Sequence, residues 1–281
     1  MAPQFSGAKC ALAAAILALA ATAHADEAAD APPPPLPNPT ATGGLEATAP
    51  SGTATGTDPT ENLAPSQVVV PVNPQSTPAR RYAGLDRDTC EAELGRRKIS
   101  FVRVPSARGV LAPVRLGAPL HGISFHTGLP AAQRPTSPYE ILDCRLVLAL
   151  DDFATILAKH DVVEVIHYSV YRPPSARGWA DGRIGRQHDG GLAIDAGVFV
   201  RKDGTTLNVE RDFHGRIGAT TCGPNTGPSP ATAEAVALRQ IACEAADAHL
   251  FNVELTPDYN WAHRNHFHLE VTPTVTWFLV H

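Results

Sequence analysis

Residues 188–200 read His-Asp-Gly-Gly-Leu-Ala-Ile-Asp-Ala-Gly-Val-Phe-Val, a histidine turn that leads through two glycines into an apolar strand. Side chains alternate between the two faces of a strand, so Leu192 and Ile194 share a face that can anchor the core. Asp195 then points from the other face into a cleft. The glycines let the loop double back, which brings His188 toward the same point. This stretch predicts a strand with one core face and one functional face.

A second stretch, residues 263–270, reads His-Arg-Asn-His-Phe-His-Leu-Glu and places three histidines within six residues. In an extended segment His266 and His268 face the same side, and the apolar residues beside them turn to the core. His263 can join them from the preceding loop. Glu270 is expected to face away from His268. The spacing therefore predicts a second strand that carries histidines into a shared cleft.

Together the two stretches offer two histidine nitrogens and one carboxylate. Three protein ligands of this kind leave a fourth position for water, which is typical of a catalytic zinc site. Such a metal activates water and polarises a carbonyl, while a nearby base handles the proton. His263 and His266 are the candidates for that base and for stabilising the oxyanion. The alternative is a histidine-rich strand that packs against aromatic residues and binds nothing.

The remaining sequence mixes helical and strand patterns with hairpin-like returns. This mixture predicts an α+β fold, a mainly antiparallel sheet with flanking helices. The predicted helices are 89–97, 142–160 and 231–248, and the predicted strands are 99–104, 110–116, 162–170, 192–200 and 267–271.

Composition divides the chain into three parts. Residues 1–25 have a basic start, a short apolar core and a small-residue cleavage site, as a signal peptide does, and the apolar core is too short for a membrane anchor. Residues 26–79 form a Pro/Ala/Thr-rich linker that is predicted to be disordered. Residues 80–281 form the folded domain. We therefore expect an exported protein, periplasmic or associated with the cell envelope, with no membrane span in the mature chain.

The formal net charge is -5, and no basic stripe is interleaved with aromatic residues, so nucleic acid is not an expected partner. Cys90, Cys144, Cys222 and Cys243 remain after the predicted cleavage. An even number in an exported chain favours two disulfides, for which three pairings exist. Short loops close at lower entropic cost, which favours Cys90 with Cys144 and Cys222 with Cys243.

The motifs His-x-x-Gly-x-Ala-x-Asp and His-x-x-His-x-His resemble those of the zinc peptidases that include D-alanyl-D-alanine carboxypeptidases and murein endopeptidases. The Pro-rich tail and the segments 168–172 and 257–260 resemble more closely the bacterial extensin-like C-terminal domain, over most of residues 86–270. The resemblance implies a zinc DD-peptidase-like fold and peptidoglycan as the partner. It also implies zinc (Zn2+) ligands at His188, Asp195 and His268, and catalysis by His263 and His266.

The resemblance further implies that Arg172 binds a substrate carboxylate or carbonyl oxygen, although a structural ion pair would explain this arginine equally well. Two positions depart from the pattern. Arg186 stands where the peptidases usually have a serine, and Val170 stands where the extensin-like domain tends to have a cysteine. The first departure leaves the metal ligands in place but changes the residues around them. Because Val170 is not a cysteine, Cys222 is the candidate partner for Cys243 in its place.

The expected function is zinc-dependent hydrolysis of an amide bond in peptidoglycan peptides, by a carboxypeptidase or an endopeptidase. One alternative is a zinc-stabilised module that binds the cell wall without turnover. Another is a structural wall protein whose histidines bind no metal.

Overall fold

The computed structural model describes residues 76–281, which form an α+β arrangement as the sequence predicts. The predicted signal peptide and nearly all of the predicted linker lie outside the described residues. The first helix begins at Pro78, just before the domain boundary that composition suggests. Within residues 76–281, no helix combines the length and apolarity needed to cross a bilayer.

Five α-helices and ten strands are described, besides short 3-10 turns. The helices are α1 Pro78–Ala83, α2 Arg87–Arg96, α3 Cys144–Lys159, α4 Val209–Asp212 and α5 Ala233–Asp247. The strands are β1 Phe101–Arg103, β2 Pro113–Leu116, β3 Ser124–Thr127, β4 Leu142–Asp143, β5 Val162–His167, β6 Ala193–Arg201, β7 Thr206–Asn208, β8 Val253–Leu255, β9 Phe267–Glu270 and β10 Leu279–Val280.

The larger sheet has seven strands in the order β10-β8-β9-β6-β5-β3, with β7 also paired to β6. The inner pairs and the β6–β7 pair are antiparallel, and the two outermost pairs are parallel, so the sheet is mixed. A smaller antiparallel sheet joins β1, β2 and β4. β6 lies in the middle of the larger sheet, between β5 and β9. The residues that it carries are therefore fixed by hydrogen bonds from both sides.

Helices α3 and α5 belong to the same core as the apolar face of the sheet. Asp143 caps the N-terminus of α3 by accepting a hydrogen bond from the backbone N–H of Arg145 (3.0 Å), and Thr232 caps α5 in the same way. Most of α3 is buried, in the same hydrophobic core as Ile194 of β6 and Leu269 of β9. The opposite faces of β6 and β9 carry Asp195 and His268.

Both predicted disulfides are confirmed. Cys90–Cys144 joins α2 to the start of α3, and Cys222–Cys243 joins a loop to α5. The bonds close chain segments of 54 and 21 residues, respectively. Of the three possible pairings, the one that closes the shorter loops is therefore the one that forms.

Strand β6 contains a bulge that its sequence pattern did not predict. Against β5, Val198 pairs with Ile166 and Ala196 pairs with His167, so Gly197 is an extra residue on the β6 side. A bulge reverses the alternation of side chains beyond it. Asp195 therefore points to the functional face while Phe199 is fully buried in the core.

Candidate metal centre

The two motifs meet across the β6–β9 pair. Asp195 lies directly opposite His268 in the antiparallel register, and both side chains are buried. His188 lies on the 3-10 turn Gln187–Gly190 that precedes β6. Gly191 ends that turn in the left-handed region (φ 63), where a side chain would be strained and would also meet the backbone nitrogen of Asp143 at 3.0 Å. The turn thereby brings His188 back to Asp195.

His188 is oriented by the backbone. Its Nδ1 lies 2.6 Å from the carbonyl oxygen of Val170, and its Nε2 lies 3.1 Å from Asp195 Oδ1. A carbonyl only accepts, so Nδ1 carries a hydrogen, and Nε2 is the nitrogen that faces Asp195 and is available to a metal. Val170 contributes through its main chain, so the departure from cysteine at this position leaves the contact intact.

His268 is oriented by a carboxylate. Its Nδ1 lies 3.1 Å from Asp195 Oδ1, and its Nε2 lies 3.4 Å from Glu270 Oε2. Glu270 is itself held by the hydroxyl of Thr272, which donates to Oε1 at 2.5 Å. The expectation that Glu270 faces away was wrong, because residues two apart on a strand share a face. That alternation rule, correctly applied, is the sequence signal that could have found Glu270.

The two predicted catalytic histidines lie beside this group. His266 Nε2 is 3.3 Å from Asp195 Oδ1, and the ring centroid of His263 is 5.3 Å from that of His266 and 5.7 Å from that of His268. Asparagine oxygens lie 2.7 Å from the Nδ1 atoms of both, Asn260 behind His263 and Asn265 behind His266. The sequence motifs gave no role to either asparagine.

The other oxygen of Asp195 is occupied by two donors. Ser169 Oγ donates to Oδ2 at 2.9 Å, and Arg172 Nη2 makes a short contact with the same oxygen. Arg172 Nε also donates to Ser169 Oγ at 3.0 Å. Arg172 therefore forms an ion pair with Asp195, yet 46% of its side chain is exposed at the mouth of the site. Both sequence interpretations of Arg172 are compatible with this position.

The donor set fits a divalent cation. One ring nitrogen of each of His188, His266 and His268 faces Asp195 Oδ1. The other nitrogen of each ring lies next to an acceptor, which is a carbonyl, an amide oxygen and a carboxylate, respectively. When these acceptors take the outer hydrogens, three lone pairs converge on a negatively charged oxygen, which is unfavourable unless a cation lies among them. One donor atom from each of His188, Asp195 and His268 lies within 4.8 Å of the others, as is also found for His263, His266 and His268.

When no metal is bound, interactions among these same residues shift their pKa values. Burial alone would lower the pKa of His268, but the Asp195 and Glu270 carboxylates outweigh it and raise the pKa to about 9. Burial opposes ionisation of Asp195 as well, and hydrogen bonds from His188, His266 and His268 nevertheless hold its pKa well below the usual range. Burial, and then electrostatic interactions with His268 and His266, lower the pKa of His263 to about 4. His263 is therefore neutral at pH 7.

Aromatic residues line the mouth of the site. The Tyr168 ring lies 5.9 Å from that of His266, its hydroxyl donates to the Asn265 carbonyl at 3.3 Å, and 45% of the residue is exposed. Trp261 stands at the start of the turn that carries His263 and is 70% exposed, with the Arg264 guanidinium 4.6 Å from its ring. Two exposed aromatic rings thus stand on the segments that carry the site.

One family model matches the chain, over residues 89–278, and it describes the extensin-like protein C-terminus. The match spans both motifs and most of the chain. The chain belongs to this family. The extensin-like domain thus contains every predicted metal and catalytic residue as well as Arg172. No curated protein and no solved structure matches the chain.

Proposed function

We propose that this extensin-like domain is a zinc-dependent hydrolase that cleaves an amide bond in peptidoglycan peptides. The observation that carries the proposal is the convergence of three histidine nitrogens on Asp195 Oδ1, at 3.1, 3.1 and 3.3 Å. A second observation supports it. His263 lies against this group, with its ring centroid 5.7 Å from that of His268, close enough to serve as the base for a water in the site.

His188, Asp195 and His268 would hold the zinc ion. Nitrogen and carboxylate donors in this number are the ligands of catalytic zinc sites. Zinc bound there would lower the pKa of a water molecule and polarise the carbonyl of the scissile bond. The hydrogen bonds from His188 to Val170 and from His268 to Glu270 would fix both rings in the ligating orientation.

His263 would take a proton from the attacking water and pass it to the leaving amine. His266 would assist, either by sharing that proton or by stabilising the oxyanion. Arg172 would bind a carboxylate or carbonyl oxygen of the substrate, because its exposed guanidinium stands beside Asp195. The half-exposed Tyr168 would form one wall of the cleft.

Peptidoglycan as substrate is supported by two features outside the site. The N-terminal sequence predicts export to the periplasm or cell envelope, where peptidoglycan lies. The paired motifs also resemble those of the D-alanyl-D-alanine carboxypeptidases and murein endopeptidases. The resemblance does not decide between a carboxypeptidase and an endopeptidase.

A second candidate function is zinc-stabilised binding to the cell wall without turnover. It is favoured by the position of His266, whose Nε2 lies almost as near to Asp195 Oδ1 as the other two histidine nitrogens. If His266 were a fourth ligand, the site would be closed to water in the manner of structural zinc sites.

The test begins with elemental analysis of the mature protein purified without chelator. We expect about one zinc per chain in the wild type and none in His188→Ala or His268→Ala. His249→Asn is the control, because this histidine packs against Phe278 and asparagine tolerates its positive φ. It should keep its zinc.

Hydrolysis of purified muropeptides is then measured with the zinc-loaded protein. The wild type should cleave them, and His263→Gln should retain zinc while losing about 10²–10⁴-fold in rate. Zinc without hydrolysis would favour the wall-binding function. Folded wild type that takes up no metal, even when zinc is supplied, would rule out both functions.

A further inference from the structure

Asn260 makes two contacts with His263 through one atom. Its side-chain Oδ1 lies 2.7 Å from the ring Nδ1 of His263 and 3.2 Å from the backbone nitrogen of the same residue. The second contact caps the 3-10 turn Trp261–His263. Asn260 is thus joined to both the main chain and the ring of the residue that would act as the base.

The backbone contact decides which end of the amide faces His263. This N–H also donates to the main-chain oxygen of Asn260 at 3.2 Å, and a side-chain NH₂ group placed against it would be a donor facing a donor. The side-chain atom that faces it is therefore the amide oxygen of Asn260. The same oxygen must then accept from the ring, which places the hydrogen on Nδ1 of His263. The lone pair is left on Nε2, the end of the ring that points away from Asn260.

The segment that carries Asn260 is firmly held. Asp258, two residues earlier, is fully buried and accepts hydrogen bonds from the backbone of Arg216 (2.7 Å) and the hydroxyl of Thr221 (3.1 Å). Arg239 adds an ion pair to it at 3.0 Å. Tyr259, which lies between Asp258 and Asn260, packs its ring against that of His263, with centroids 5.4 Å apart. The position of Asn260 is therefore set by the core.

We propose that Asn260 is a positioning residue, which holds His263 in the Nδ1–H tautomer and keeps its Nε2 lone pair directed into the cleft. The inference rests on the proposed function, in which His263 accepts the proton of the attacking water. An amide oxygen suits this task because it fixes the ring without placing a second negative charge beside Asp195. His268, which would bind metal, has the Glu270 carboxylate behind it instead.

Serine separates the positioning role from the capping role. A serine hydroxyl is as good an N-cap as an asparagine amide, but its side chain is one atom shorter and does not reach the ring. Asn260→Ser therefore keeps the turn and loses the contact with Nδ1. Asn260→Asp keeps both contacts. Asn208→Ser is the matched control, since Asn208 caps α4 through Arg211 N–H (3.0 Å) and has no hydrogen bond to a histidine within residues 76–281.

Two readouts are measured on the zinc-loaded mature chain. The first is the ring tautomer of His263 from ¹⁵N NMR, assigned with His263→Gln, and the second is kcat and KM for muropeptide hydrolysis. We expect Asn260→Ser to give a mixture of tautomers and a kcat lower by about 10–100-fold, with unchanged zinc content and KM. Asn260→Asp should retain the wild-type tautomer, and Asn208→Ser should match the wild type in both readouts.

An unchanged tautomer in Asn260→Ser would overturn the proposal, and so would an unchanged kcat in a wild type that is active. If the wild type hydrolyses nothing, the proposed function fails on its own, while the NMR comparison still decides whether Asn260 fixes the ring. Loss of zinc or of folding in Asn260→Ser alone would show that Asn260 is structural, which also contradicts the proposal.

Discussion

At the scale of single residues, the two nitrogens of an imidazole have separate tasks in this site. His268 faces Asp195 through Nδ1 and Glu270 through Nε2, whereas His188 faces Asp195 through Nε2. The group behind each ring therefore determines what the facing nitrogen can do. A carbonyl or amide oxygen fixes the tautomer, and a carboxylate also strengthens the ring as a metal ligand.

Glu270→Gln tests the carboxylate behind His268. The substitution keeps an oxygen for His268 and removes the charge, so we expect zinc affinity to fall by about 10–100-fold. Competition with a chromophoric chelator measures the change. Glu254→Gln is the control for the substitution itself, since it replaces another buried glutamate, on the neighbouring strand β8, and should leave zinc affinity unaltered. Equal affinities for Glu270→Gln and the wild type would show that Glu270 does not support the metal.

Glu254 itself gives a prediction about pH. It is almost fully buried, neither carboxylate oxygen has a hydrogen-bond partner among residues 76–281, and burial, helped by Asp247, raises its pKa well above 4.5. Above pH 4.5 the unfolded chain therefore ionises while the folded chain keeps its proton. The free energy of unfolding then falls with rising pH by about 1.4 kcal/mol per unit, until the folded-state pKa is passed.

Glu254→Gln should remove this dependence and make the protein more stable than the wild type at pH 7. Urea unfolding at several values between pH 5 and 8 measures the difference between the two proteins. Asp181→Asn, which removes an exposed carboxylate, is the control and should follow the wild-type curve. A constant difference between Glu254→Gln and the wild type across this range would contradict the buried, protonated state of Glu254.

At the scale of elements, strand β6 joins the core to the site through its bulge. A Cβ atom on Gly197 would lie 2.7 Å from Cζ of Tyr168, so the aromatic ring lies directly over this glycine. The bulge turns Phe199 into the core, and Gly197 has no side chain beneath the Tyr168 ring. Tyr168 is in this way placed beside His266.

Gly197→Ala should force the Tyr168 ring away and cost about 1–3 kcal/mol of stability, as overpacking does. The cost should shrink when Tyr168 is already alanine, which a double-mutant cycle of urea unfolding measures. Gly95→Ala in helix α2 is the control, because a methyl group at that position would have open space around it, and the substitution should not destabilise the protein. Equal costs of Gly197→Ala in both backgrounds would show that Tyr168 is not the obstacle.

At the scale of the whole molecule, the two disulfides hold different parts of the domain. Cys90–Cys144 ties helix α2 to the start of α3. Cys222–Cys243 ties the loop before α5 to that helix, and Thr221 in the same loop donates to Asp258 at 3.1 Å. The second disulfide therefore supports the segment that leads to Asn260.

Chain entropy predicts which disulfide contributes more to stability. Cys90→Ala with Cys144→Ala removes the disulfide that closes the 54-residue loop and should cost about 4 kcal/mol of stability. Cys222→Ala with Cys243→Ala removes the disulfide that closes the 21-residue loop and should cost about 3 kcal/mol. Urea unfolding of the oxidised wild type and both double variants gives the comparison. A larger loss for the Cys222–Cys243 pair would mean that its contacts with the Asp258 network outweigh chain entropy.

The sequence by itself determined the α+β class, the disulfide pairs and the histidine and aspartate motifs. These features depend on alternation, helical periodicity and loop length, which are local properties of a chain. The alternation in residues 192–196 and 266–270 also predicts that Asp195 and His268 leave the core on the face opposite Ile194 and Leu269.

Only the tertiary structure decided which groups stand behind the histidines. Val170, which contacts His188, and its neighbour Ser169, which contacts Asp195, reach the site from one segment, and Asn260 reaches it from another. The bulge at Gly197 follows from how β6 pairs with β5. Contacts of this kind depend on strand register and on the path of distant loops, which no local pattern specifies. The motifs therefore supply the donor atoms, and the long-range packing of the chain sets the tautomer and direction of each one.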